Sequence, residues 1–148
     1  MIGMIPDHLL QAYRRTGYVV LLPQGEVVLR IDENSPPLDA LLDAWGYPCW
    51  AFITAYNPGS RLDPAGNDAR HTHLLREIEA RRLPSFPGRG IGCDGRWPVE
   101  ESLLVLGLDV ADARTIGKAF GQLAVVAGER RGPALLVPCG HDPCMPGD

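Results

Sequence analysis

Glu100 and Glu101 stand side by side at the head of an apolar run, Ser102-Leu103-Leu104-Val105-Leu106, just after Trp97-Pro98-Val99. Adjacent carboxylates offer three kinds of chemistry. One can act as general acid or base when burial beside the other raises its pKa. One can accept hydrogen bonds from a ligand hydroxyl or amine, or pair with an arginine. Ser102 adds a hydroxyl, but no histidine is placed to activate it, so a hydrolase triad fits poorly. A second polar cluster, Thr54-Ala55-Tyr56-Asn57-Pro58, closes another apolar run that begins at Cys49. Asn67 and Arg70 fall in the first turns of a predicted helix, whose N-terminal N–H groups suit an anion. Arg70 is placed to pair with Glu100, Glu101 or a ligand carboxylate or phosphate. Asn57, Asn67, Arg70, Trp97, Glu100, Glu101, Ser102 and Gln122 are therefore the candidate ligand-binding residues.

Each also has a plainer role. Asn57-Pro58 starts turns, Asn67 can steady a helix start, and Gln122 can bond backbone at a helix end. Trp97 can cover core. Along a strand, Glu100 shares the face of Ser102 and Leu104 and Glu101 that of Leu103 and Val105, so one glutamate faces water.

The elements that would position these groups follow from periodicity. Residues 6–16 carry Leu9, Leu10 and Tyr13 at helical spacing. Strands at 18–22 and 26–31 make a hairpin through Pro23-Gln24-Gly25. Ser35-Pro36-Pro37 opens a helix striped by Leu38, Leu41, Leu42 and Trp45, and Gly46 ends it. From there the order is strand (49–56), helix (to about 82), strand (85–92), strand (99–108), helix (capped by Asp109) and strand (123–127). A last strand spans 133–137. The inner face of the long helix holds Asn67, His71, Leu74, Leu75 and Ile78.

That order predicts an α+β, ferredoxin-like (split βαβ) sandwich, with an N-terminal helix–hairpin–helix extension and an extra C-terminal strand. It sets strand 49–56 antiparallel beside strand 99–108. The candidate residues then converge at one sheet edge. A single domain over 1–137 and a flexible tail over 138–148 complete the organisation.

Three tempting motifs are set aside. Gly90-Ile91-Gly92-Cys93-Asp94-Gly95 spells G-x-G-x-x-G, but a strand follows where the dinucleotide fingerprint needs a helix. His71 and His73 are two apart on a helix and do not face each other. Cys139, His141 and Cys144 lack a convincing fourth zinc ligand, so no metal is expected.

Composition narrows the class. The 148 residues are 45% hydrophobic and 22% charged, as in ordinary globular domains. The formal net charge of -4 argues against a general nucleic-acid binder. No apolar run approaches the ~18 residues of a membrane span. The N-terminus lacks signal-peptide character, which predicts a cytoplasmic protein with its cysteines as thiols.

Taken in order, Phe52-Ile53-Thr54-Ala55-Tyr56-Asn57-Pro58, Asn67-Asp68-Ala69-Arg70, Trp97-Pro98-Val99-Glu100-Glu101-Ser102 and Phe120-Gly121-Gln122 resemble the bacterial domain of unknown function 3293 family over residues 12–127. The sequence departs from that pattern at Leu123, where many relatives carry asparagine. The resemblance implies a shared functional edge and brings no activity, cofactor or catalytic residue with it.

Three functional readings follow. The first is a small-molecule-binding domain taking an anionic or nucleotide-like ligand, with Arg70 holding the anion. The second is an enzyme using Glu100 or Glu101 as general acid or base. The third is a protein–protein module built on Trp97 and the adjacent hairpin.

Overall fold

The computed structural model describes residues 5–140. Four helices and seven strands form an α+β fold: α1 (Asp7–Arg15), β1 (Gly17–Leu22), β2 (Gly25–Leu29), α2 (Pro36–Trp45), β3 (Cys49–Thr54), α3 (Pro64–Ala80), β4 (Ser85–Ile91), β5 (Glu100–Leu106), α4 (Val110–Ala119), β6 (Ala124–Glu129) and β7 (Leu135–Pro138). No helix among the described residues is long and apolar enough to cross a membrane.

The strands make one antiparallel sheet in the order β2-β1-β4-β5-β3-β6-β7. β3 and β5 are antiparallel neighbours at its centre, with Thr54 opposite Ser102 and Trp50 opposite Leu106. The N-terminal hairpin is not a separate extension, because β1 pairs with β4 and lengthens the same sheet. The sheet curls until Ile31, just past β2, bridges Ala134, just ahead of β7. Hydrogen bonds from Asp32 N to Ala134 O (2.7 Å) and from Ala134 N to Glu33 O (3.0 Å) fix that closure.

Strand alternation gives the sheet two apolar faces. The concave face carries Trp50, Phe52, Leu104 and Leu106 and packs against Leu38, Leu41 and Leu42 of α2. The convex face carries Ala51, Ile53, Leu103 and Val105 and packs against Leu74 and Ile78 of α3 and Ala113 and Ile116 of α4. Burying one large aliphatic side chain here is worth about 1.5–3 kcal/mol, so these two layers dominate the stability.

Local signals set the helix ends. Ser35 Oγ accepts from Leu38 N at 3.4 Å, prolines fill the first turn of α2, and Gly46 closes it at φ 77°. Asp109 Oδ1 accepts from Asp112 N at 2.8 Å to cap α4. Two details differ from expectation. Trp45 lies off the buried stripe of α2, half exposed, with its ring edge-on to Phe86 at 5.6 Å. β3 stops at Thr54 and does not run to Tyr56, because Thr54 Oγ1 accepts from Tyr56 N (3.0 Å) and turns the chain.

At the C-terminus Pro138 closes β7 and Cys139 is buried in the convex core. The packed chain therefore runs past the expected boundary at 137. His141, Cys144 and the rest of 141–148 lie outside the described residues.

Candidate functional site

The β3–β5 register positions the site. With Thr54 opposite Ser102, Glu100 lies on the concave face two residues before Ser102. β4 lies on the other side, where Gly90 faces Glu100 and Gly88 faces Ser102. Glu101 alternates to the convex face, where it pairs with Arg89 at 3.5 Å, both side chains exposed.

A cavity of about 390 Å³ opens on this concave face, between α1, the strand ends and the turn joining β4 to β5. Phe52, Tyr18 and Tyr13 form its apolar wall, and Glu100, Ser102 and Asn57 bring polar groups to it. Trp97 and Gln122 also line it. Gly90 gives the cavity room: a Cβ there would meet only Thr16 Cγ2, at 4.0 Å. Gly88 does the opposite job. A Cβ there would fall 2.7 Å from the Phe52 ring, so its absence lets that ring lie across β4.

Asn57 ties the polar wall to the loop beneath it. It is buried and left-handed, at φ 49°, a conformation that asparagine tolerates better than most residues. Its Oδ1 accepts from Asp63 N and Asn67 Nδ2, each at 3.0 Å. Its backbone N–H donates to Asn67 Oδ1 at 2.9 Å. Its Nδ2 donates to Glu100 Oε2 at 2.8 Å, and Trp97 Nε1 donates to the same oxygen at 3.0 Å. Gln122 Nε2 donates to Tyr56 O at 2.9 Å, joining the turn between α4 and β6 to this loop. Gly121, at φ 73°, admits Pro58, which would sit 2.8 Å from a Cβ.

The sequence-predicted residues thus separate into three groups. Asn57, Trp97, Glu100, Ser102 and Gln122 line one cavity. Asn67 is buried behind them as a hydrogen-bond partner of Asn57. Arg70 and Glu101 lie elsewhere. Arg70 does not pair with Glu100 or Glu101 as expected. Its Nε donates to Ala55 O (3.1 Å), Nη1 to Asp63 Oδ2 (2.8 Å), and Nη2 to Asp63 O (3.1 Å) and Asn67 Oδ1 (2.6 Å). Asp63, just ahead of α3, is nearer than either glutamate and holds the guanidinium on the loop. Sequence reasoning missed Tyr13, Tyr18 and Phe52 as wall residues. The alternating glycines Gly88 and Gly90 were the available signal, since a strand face without side chains must be filled from across the sheet or left open.

The motifs set aside behave as expected of their context. The Gly90–Gly95 run leaves β4 through a turn, with Gly95 at φ 69°, and leads to β5. His71 stands edge-on to Tyr56 at 6.1 Å and His73 to Phe120 at 5.2 Å, on separate sides of α3.

Burial raises the pKa of the Tyr13 hydroxyl, opposed by a hydrogen bond with Ser60 and reinforced by the nearby Glu100 charge. Tyr18 is raised further, by burial first and then by Tyr13. Burial also pushes the Cys139 thiol up to about 11, against the pull of Arg114 and Lys118. The folded chain therefore keeps protons that the unfolded chain releases near pH ~8.5 for cysteine and ~10 for tyrosine. The stability this contributes is complete below those values and is lost as pH rises through the folded ones. The melting temperature should accordingly fall as pH climbs from about 8.5 to about 11. A melting temperature that stays flat over that window would contradict the assigned burial.

Residues 53–125 match the family described as protein of unknown function (DUF3293). This segment belongs to the DUF3293 family. The match runs from within β3 to within β6 and so contains the DUF3293 hydrogen-bond network from Asn57 to Gln122. It omits β1, β2 and α2, which the wider resemblance from residue 12 had included. No curated protein and no solved structure matches the chain.

Proposed function

We infer that this chain is a small-molecule-binding domain whose site is the concave cavity. One observation carries the reading: a 390 Å³ cavity with an apolar aromatic wall has the side chains of Glu100, Ser102, Asn57 and Gln122 along it. Ligand pockets are typically of this size and are mostly apolar, with a few placed polar groups. Glu100 is the central polar group. Two donors fix one of its oxygens and leave the other without a donor among the described residues. Arg70 no longer serves as the anchor for an anion, because its donors hold the Asp63 loop.

The central strands support a finer reading of the scaffold. Strands β6-β3-β5-β4, with α3 and α4 on one face, have the connectivity of a ferredoxin-like split βαβ unit. β1 and β2 extend it on one side and β7 on the other. The ligand in this reading is a solute of the bacterial cytoplasm, where Cys49, Cys93 and Cys139 stay as thiols.

A metabolite screen tests the site. Trp97 donates to Glu100 at the cavity, so a compound bound there should both raise the melting temperature and change tryptophan emission. Trp97→Phe should remove most of the emission change and reduce the thermal shift without abolishing it, since Asn57 still holds Glu100. A screen in which stabilising compounds leave Trp97 emission untouched would place binding elsewhere and sink the proposal.

A further inference from the structure

The hydrogen-bond directions around the cavity say which chemical class it takes. Three hydroxyl donors of its wall are turned into backbone carbonyls, and the Tyr13 hydroxyl bonds with Ser60. Ser102 Oγ donates to Glu100 O (3.0 Å), Thr54 Oγ1 to Glu101 O (2.8 Å) and Tyr18 Oη to Tyr13 O (3.0 Å). The Asn57 and Trp97 N–H groups both converge on Glu100 Oε2. Glu100 Oε1 receives no donor among the described residues, and the Ser102 oxygen keeps lone pairs for another donor.

The side of the wall around Glu100 is therefore rich in acceptors, with a carboxylate at its centre. The other charged lining residues, including Arg15, Asp94 and Arg96, are exposed, and Arg96 lies 3.9 Å from Asp94. An anion entering the cavity would meet a carboxylate and lone pairs. An ammonium group would meet a charge-assisted acceptor. The flanking rings of Tyr13, Tyr18 and Phe52 add faces that attract a cation.

The geometry points to a primary amine or related organic cation as the ligand, its N–H groups on Glu100 Oε1 and its apolar body against Phe52 and the two tyrosines. This rests on the reading of the cavity as a ligand site and replaces the anion expected from Arg70.

Three probes of matched shape separate the possibilities: phenethylamine, 2-phenylethanol and 3-phenylpropionate. Each is titrated into the ¹⁵N-labelled full chain at neutral pH, following the Trp97 indole and the Gly90 amide by NMR. Phenethylamine should bind at least tenfold more tightly than the alcohol, and the carboxylate should not bind. Glu100→Gln, which keeps the shape of the wall, should erase the amine's advantage and leave the alcohol unchanged. If the alcohol or carboxylate moves Trp97 and Gly90 as readily as the amine does, the amine class is wrong and the cavity reading stands. If none of the three moves either residue, both fall. The wild-type comparison decides the matter by itself if Glu100→Gln perturbs folding.

Discussion

Asn57→Ala should lower the stability of this chain by at least about 3 kcal/mol, and its melting temperature by roughly 10 °C. Asn57 is buried, and its side chain has hydrogen-bond partners on three elements of the site. Truncation leaves Asp63 N–H and Asn67 Nδ2 without their acceptor in a buried setting. Each such orphaned group costs about 1–3 kcal/mol. Alanine must also adopt φ 49°, at a further penalty of roughly 1–2 kcal/mol. Asn57→Gly isolates the second contribution, since glycine accepts positive φ freely. It should recover about 1 kcal/mol relative to alanine. Asn57→Asp keeps the acceptor but sets a second carboxylate against Glu100 in place of a donor. Chemical denaturation of the three variants measures these differences. A loss below ~1 kcal/mol in Asn57→Ala would mean that the loop repacks without the asparagine.

Gly88→Ala and Gly90→Phe should give opposite outcomes although the two glycines share one face of β4. At Gly88 even a methyl group meets the Phe52 ring at 2.7 Å and the Val19 carbonyl at 2.9 Å. The ring is packed edge-on against Tyr18, and the carbonyl belongs to the paired strand β1. Overpacking of this kind costs about 1–3 kcal/mol, with the backbone contact favouring the upper end. At Gly90 nothing but Thr16 lies within reach of a Cβ, and the residue lines the cavity, so a phenyl ring there should occupy it. Replacing a strand glycine also removes unfolded-state freedom, so Gly90→Phe should fold within about 1 kcal/mol of wild type. Comparable destabilisation at the two positions would contradict the assignment of packed core to one and cavity to the other.

Much of this was legible in the residues. Ser35-Pro36-Pro37 and Gly46 set the ends of α2, and the apolar runs gave both central strands and their antiparallel pairing. Period-two alternation correctly separated Glu100 from Glu101, because the register makes one concave and the other convex. Arg70 was misjudged for a physical reason. Placing it at the correct end of the sheet did not say which acceptor lay nearest, and Asp63, seven residues away, reached it first. The cavity itself was not legible. It depends on the curl of the sheet through Ile31 and Ala134 and on the approach of α1, and neither has a local sequence signal.

The central claim is that the concave cavity is the ligand site, and Gly90→Phe tests it most directly. A compound that stabilises the wild-type chain and alters Trp97 emission should be titrated into this variant, with the fold checked by its melting temperature. The account predicts at least a hundredfold loss of affinity in a protein that still melts cooperatively near the wild-type temperature. Undiminished affinity in the folded variant would show that the ligand binds outside the cavity.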